Sequence, residues 1–294
     1  MPHHKIQRRM DMKIAILTDS ASNLAKDYVV KHKNLFVIPL MIVIDGKNYR
    51  DQKEISAQEV YEKLDTNTIT TSLPSLEDLS EMIEDIKKKG FTDILAINLS
   101  SGLSGTFNSF RLAFQEVKGI KITHYDSKTL GGGLSFIIQE AVSMIDKGMS
   151  LDLLMKELDR IRYQDSLAIY TINTLKYLKR GGRIGKVEGT IGDILHIKPV
   201  ITVNDEGVYV TLSKGFGLQR SLIKMKDILV EKFGQDEIDL IVHYGNDVEK
   251  AEELAERLKK DLKIRHIELS ALTPVLGIHT GPMMFAFVAN RIKK

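Results

Sequence analysis

Residues 91–117, FTDILAINLSSGLSGTFNSFRLAFQEV, decide how the rest of the chain is read. FTDILAINL predicts a strand and FNSFRLAFQEV a helix, and between them Leu99–Phe110 packs four serines, one threonine and two glycines. The same succession of strand, small polar loop and helix recurs on both sides. KIAILTDSASNL, from Lys13, runs into Asp19, Ser20 and Ser22, side chains able to accept from the free N–H groups of a following helix. GIKITHYD, from Gly119, leads through a glycine triplet at Gly131 to LSFIIQEAVSMID. Strands alternating with helices imply right-handed crossovers and a parallel sheet covered by helices. Ligands of such sheets sit outside the carboxyl ends of the strands, where the loops at Asp19, Ser100 and Asp126 would lie.

Between these units, LFVIPLMIVI and DGKNYRD predict a strand and a hairpin turning at Asp45-Gly46, and Ser56 with Glu59 forms a capping box. Beyond the helix LDLLMKELDRIRYQD the pattern changes. SLAIYTI is a strand, NTLKYLKR a helix closed by Gly181-Gly182, and KPVITVNDEGVYVTLSK a hairpin around Asp205-Glu206-Gly207. The strand DLIVHYGND precedes a helix that places Val248, Ala251, Ala255, Leu258 and Leu262 on one face. The expectation is an α/β protein of two α/β domains: residues 13–160 with a mainly parallel sheet flanked by helices, residues 161–294 with a mixed sheet, and the ligand between them. Residues 1–12, too polar to pack, are expected to form a tail outside the fold.

Composition removes several classes of function. The chain of 294 residues is 43% hydrophobic, enough for a sizeable core, and it has no cysteine, so disulfides and thiol nucleophiles are excluded. Its 42 basic and 39 acidic residues nearly balance, without a basic block of the kind that nucleic acid would need. No apolar run approaches the roughly 20 residues of a membrane span, and the start lacks the apolar core of a secretory signal; a cytoplasmic protein without stable membrane insertion is expected.

The motifs narrow the chemistry further. GGRIGK lacks the Ser or Thr that a phosphate-binding loop needs after its lysine, and the triplet at Gly131 lacks the spacing of a dinucleotide fingerprint and reads as a turn. GLSGT has Thr106 where a nucleophile elbow would have glycine; His279 could still serve as base to Ser101 or Ser104, which keeps a serine-dependent acyl hydrolase as one alternative. The eight histidines are scattered, apart from His3-His4 in the tail, so no metal site is drawn. What remains are uncharged hydroxyl and amide donors in SSGLSGT and in TITTSLPS, Thr68–Ser75. Ser75 reads as a helix cap; the others suit a carboxylate or a phosphate monoester, so a binding module for another small anion is the second alternative.

Taken together, AILTDSASNL, TTSLPS, INLSSGLSGTFNS, YDSKTLGGG, LKRGGRI, KPVI and GIHTGP resemble the DegV family, in order and along nearly the whole chain from Lys13. The resemblance implies a two-domain α/β protein enclosing one long-chain fatty acid in an apolar tunnel. It further implies a carrier rather than an enzyme, the acyl-binding subunit of a bacterial fatty acid kinase, presenting the carboxylate to a separate ATP-dependent catalytic subunit. No cofactor is implied beyond the bound fatty acid. By the same resemblance Thr70, Thr71, Ser100, Ser101 and His279 belong to the head-group region, and Arg183 lies near the carboxylate and the partner. Two departures stand out: Leu73 replaces the glutamine of the usual TSQPS, and SKGFGLQRS, Ser213–Ser221, replaces a segment richer in lysine and arginine, keeping Lys214 and Arg220.

Overall fold

A computed structural model describes residues 12–187 and 196–293; of the expected tail, residues 1–11 lie outside the described residues. Thirteen strands are described: β1 (Ile14–Asp19), β2 (Leu35–Ile38), β3 (Met41–Ile44), β4 (Lys47–Arg50), β5 (Ile69–Ser72), β6 (Asp93–Asn98), β7 (Lys121–Asp126), β8 (Ser166–Ile172), β9 (Ile197–Val203), β10 (Tyr209–Phe216), β11 (Glu237–Tyr244), β12 (Lys263–Ala271) and β13 (Met284–Arg291). They form a parallel sheet in the order β2-β1-β6-β7, a mixed sheet β10-β9-β8-β13-β11-β12, and a small antiparallel sheet β4-β3-β5. The fold is therefore α/β, with one parallel and one mixed sheet, as the strand and helix patterns require.

Both faces of the parallel sheet are covered, and β1 and β6 are buried at every position. One face packs Leu17, Ile94 and Ala96 against Leu79, Ile83 and Phe110 of the helices Leu76–Lys88 and Thr106–Gln115. The other shares a core with the mixed sheet, joining Ile16 and Leu95 to Ile172, Ile201 and Met284 through the helix Gly131–Asp146. Helices Leu218–Phe233 and Val248–Asp261 close the outer side of the mixed sheet over Phe285 and Phe287. The order 2-1-6-7 makes the chain leave β1 and β6 in opposite directions, which opens a crevice at the carboxyl ends of these strands.

Local signals behave as their chemistry demands. Asp45 and Gly46 both take positive φ, 48° and 83°, as the tight turn between β3 and β4 needs. Ser56 and Glu59 cap each other reciprocally. The glycine triplet does not form a turn: it opens the helix Gly131–Asp146, with Gly131 at φ 54°. On the helix Val248–Asp261, Ala251, Ala255 and Leu258 are buried as expected, whereas Val248, at the exposed first turn, is not.

Two buried carboxylates brace the crevice. Asp19 accepts from Ala21 N, Asn98 Nδ2 and Leu99 N at 2.9–3.1 Å, and burial still pushes its pKa up to about 6. Asp51 accepts from Val275 N at 3.0 Å, at the start of the helix Pro274–Thr280, and burial raises its pKa from 3.8 to about 7. Because the folded value lies above the unfolded one, the stability that Asp51 contributes is full below about pH 4 and is lost as the pH rises through about 7. Asp51→Asn keeps the acceptor and removes the charge, so it is expected to raise the melting temperature increasingly as the pH climbs from about 4 to about 7, and to leave it nearly unchanged below about pH 4. Thermal melts across that window check it; a uniform fall in melting temperature would contradict it.

Candidate functional site

A cavity of about 300 Å³ lies between the two large sheets at the end of the crevice. That volume is in the range of small-molecule clefts. Its floor is the inner face of the mixed sheet, with Ala168 and Tyr170 from β8, Met284, Ala286 and Val288 from β13, and His243 from β11. The loops after β1 and β6 contribute Ala21, Leu99, Leu103 and Ser104. Helix Gly131–Asp146 points its first residues, Gly131 and Gly132, at the cavity, while Val275, Leu276 and His279 come from the helix Pro274–Thr280. Most of the wall is apolar, and Thr71, Ser72, Ser104, Arg183 and His279 are among its polar residues.

His279 owes its position to the two ends of its helix. At the start, Asp51 holds Val275 N and the Asn23 side chain holds Thr273 N at 2.7 Å. Further along, the helix packs against the helix Ala57–Lys63, where Gly277 allows Tyr61 to approach: a Cβ at that position would lie 2.7 Å from the tyrosine hydroxyl. The ring of His279 rests on Gly181, where any side chain would overlap Nδ1. Nε2 faces Thr71 Oγ1 at 3.4 Å, and Nδ1 has no partner. Burial, then the charges of Arg183 and Arg180, lower the His279 pKa to about 3, so the imidazole is neutral at physiological pH. Arg183 follows the turn Gly181-Gly182; its Nε donates to Leu103 O at 3.3 Å and its Nη1 to Gly181 O, which fixes the half-buried guanidinium at the cavity wall.

The structure brings together Thr71, His279 and Arg183 but not the other three expected residues. Thr70 alternates to the exposed side of β5, because successive strand residues face opposite ways. Ser100 is completely buried; its hydroxyl donates to Gly207 O at 2.7 Å and accepts from Gly102 N at 3.1 Å, tying the β6 loop to the β9–β10 turn. Ser101 accepts from Lys128 Nζ at 3.0 Å, while its N–H donates to Asp126 Oδ1. Thr70, Ser100 and Ser101 are not among the residues that line the cavity, whereas Ser72 and Ser104 are. Leu73 also lines the wall, so the departure from glutamine gives the rim an apolar side chain. In the Ser213–Ser221 segment, Lys214 and Arg220 are exposed, and Ser221 Oγ donates to Lys198 O at 2.6 Å.

A hydrolytic arrangement is not assembled. Lys128 Nζ, next to Ser101, is paired with Asp126 Oδ2 at 2.8 Å and donates to the serine hydroxyl at 3.0 Å. Ser104 Oγ lies 2.9 Å from Thr106 Oγ1 and accepts from Thr106 N, a turn-closing role at the start of its helix. No carboxylate orients His279 among its described partners. Among the described residues no group of three or more His, Cys, Asp or Glu could hold a metal ion, and no helix is long and apolar enough to cross a membrane.

Two residues that sequence reasoning missed bear on the site. Arg162 donates to the carbonyls of Lys128 and Asn204, each at 2.8 Å, and so locks the loop after β7 to the β9–β10 turn. His243, the last residue but one of β11, is among the residues that line the cavity. Neither carries a local signal, since both contacts join segments far apart in the chain.

Residues 13–291 match the family model of the DegV proteins. A DegV domain-containing protein of Clostridium acetobutylicum is 36% identical over 276 residues, spanning 94% of this chain and 98% of the relative. Among solved structures, a fatty-acid-binding DegV family protein from Thermus thermophilus superposes with a TM-score of 0.88 at 29% identity, over 96% of this chain and all of that one. A stearic-acid-binding protein from Eubacterium ventriosum superposes with a TM-score of 0.84 at 28% identity, over 95% of this chain and 98% of the other.

Proposed function

The chain belongs to the DegV family, and from that premise we propose that it holds one long-chain fatty acid in the cavity between its sheets, as a carrier rather than an enzyme. The observation that carries this reading is a largely apolar cavity with Thr71, His279 and Arg183 together on its wall. A carboxylate would take hydrogen bonds from the hydroxyl, the neutral imidazole and the guanidinium, and the acyl chain would follow the inner face of the mixed sheet. Each buried methylene contributes about 0.8 kcal/mol, so a ~16-carbon chain supplies roughly 12 kcal/mol before ordering costs, and few polar contacts are needed.

The second part of the proposal is presentation to a separate ATP-dependent kinase subunit that forms the acyl phosphate. It is supported by the lack of a phosphate-binding loop in this sequence and by the place of Arg183, half-buried at the cavity wall. Serine hydrolysis loses ground because Ser100, Ser101 and Ser104 are engaged in turn and scaffold contacts.

Mass spectrometry of organic extracts from the purified protein tests the first part. A long-chain fatty acid in near-stoichiometric amount is expected; repeated extraction without an acyl chain, together with failure to bind added stearic acid, would sink the reading.

A further inference from the structure

Outside the cavity, three segments far apart in the chain are tied together at one place. Asp65, just past the helix Ala57–Lys63, accepts from Lys176 Nζ at 2.7 Å and from the Tyr177 hydroxyl at 3.2 Å, and Arg180 Nη1 donates to Leu64 O. These three donors belong to the helix Lys176–Arg180. Both of its cations also stand over the Tyr177 ring, Lys176 at 5.6 Å and Arg180 at 5.4 Å from the centroid. The ring packs under Gly281, at the end of the helix Pro274–Thr280, where a Cβ would lie 2.4 Å from it. None of these residues lines the cavity.

Each tied segment leads directly to a head-group residue. Thr71 follows Asp65 on β5, Arg183 follows Arg180 past the glycine turn, and His279 precedes Gly281 on its helix. Thr71 Oγ1 faces His279 Nε2 at 3.4 Å, so the small sheet β4-β3-β5 meets that helix at the head-group residues. Leu73, just beyond β5 and 40% exposed at the rim, faces the β6 loop: a Cβ at Gly105 would lie 3.6 Å from its Cδ2. Moving the small sheet outward therefore parts Thr71 from His279 and Leu73 from Gly105, which opens the cavity. The tie at Asp65 opposes that movement. Its ion pair is exposed, with 60% of the Asp65 side chain and 56% of the Lys176 side chain accessible, so salt reaches it.

We propose that Asp65, with Lys176, Tyr177 and Arg180, is a latch that sets the rate at which the fatty acid enters and leaves. It acts on rate rather than affinity. The latch groups do not touch the cavity, and the head-group residues have supports of their own: Asp51, Asn23 and Gly181 for His279, and Leu103 O for Arg183. An interaction made equally in the loaded and the empty protein does not shift the binding equilibrium. It raises the barrier to the opened state, through which loading and release both pass. The inference rests on the fatty-acid reading and adds to it a control of exchange.

Stopped-flow mixing with a fluorescent long-chain fatty acid, together with equilibrium titration, tests the latch in the wild type, in Asp65→Ala and in the exchanged pair Asp65→Lys/Lys176→Asp. In Asp65→Ala, association and dissociation are both expected to quicken about fivefold while the affinity stays within about twofold, and the exchanged pair should return the rates most of the way to wild type. Raising the salt to about 1 M, where the Debye length falls to about 3 Å, should quicken the wild type in the same way and leave Asp65→Ala nearly unchanged. The wild-type response is a readout that needs no variant to fold. Unchanged rates in Asp65→Ala, an exchanged pair as fast as the alanine variant, or a wild type indifferent to salt overturns the latch. So does a loss of affinity that matches the faster release, as a head-group role would give. Failure of the wild type to bind the fatty acid at all overturns the fatty-acid reading, and the latch with it.

Discussion

Ala286→Phe is expected to abolish retention of long acyl chains while the protein stays folded. Ala286 stands on β13 between Tyr170 and His243, with its side chain on the cavity floor, so a ring at this position projects across the path of the chain. If half of a ~16-carbon chain can no longer be buried, about 6 kcal/mol of transfer free energy is forfeited, more than four orders of magnitude in affinity before any compensating rearrangement. Overpacking a dense core costs about 1–3 kcal/mol, but here the ring enters space the core leaves open, so the penalty to folding should be at the low end. Titration with a fluorescent fatty acid together with a thermal melt separates the two effects. A melting temperature close to wild type with unchanged affinity would show that the ligand does not lie over Ala286; octanoic acid, short enough to stop before the ring, should lose much less.

The second large effect concerns the head group. In a Thr71→Ala, His279→Ala double variant a bound carboxylate loses a hydroxyl and an imidazole donor, each worth about 1.5–3 kcal/mol when the acceptor is charged. Affinity should therefore fall roughly a thousandfold, or less if the two losses overlap. Arg183→Ala should weaken retention as well, because its guanidinium lines the wall instead of standing free on a loop. If the arginine also serves presentation, acyl phosphate formed with a cognate kinase and ATP will drop further than the loss of loaded protein explains. The double variant retaining wild-type affinity, measured on folded protein, would remove these residues from the head-group set.

The accuracy of the sequence reading differs between elements for reasons that can be named. Strand and helix alternation was legible because β1 and β6 are short apolar runs buried on both faces and each ends at a polar loop. The hairpins at Asp45-Gly46 and Asp205–Gly207 were legible because positive φ restricts residue choice. The glycine triplet was misread: glycine is frequent in turns, and only the packing of His243 and Val288 against Gly132 explains why side chains are absent from the first turn of a helix. The serines of the β6 loop were legible as hydroxyls but not as contacts. Whether Ser100 meets a ligand or Gly207 O depends on a turn 107 residues away.

The sequence by itself determined the α/β class, the parallel sheet, the hairpins and the short list of polar residues from which any head-group site had to be drawn, since periodicity, caps and turn chemistry act over a few neighbouring residues. The tertiary structure alone decided which of those residues share a wall, and that Ala286, Tyr170 and His243 form its floor. On their own strands these three read as ordinary core; they become cavity lining only because the parallel and mixed sheets stop short of full contact, and that gap is set by packing between segments more than a hundred residues apart.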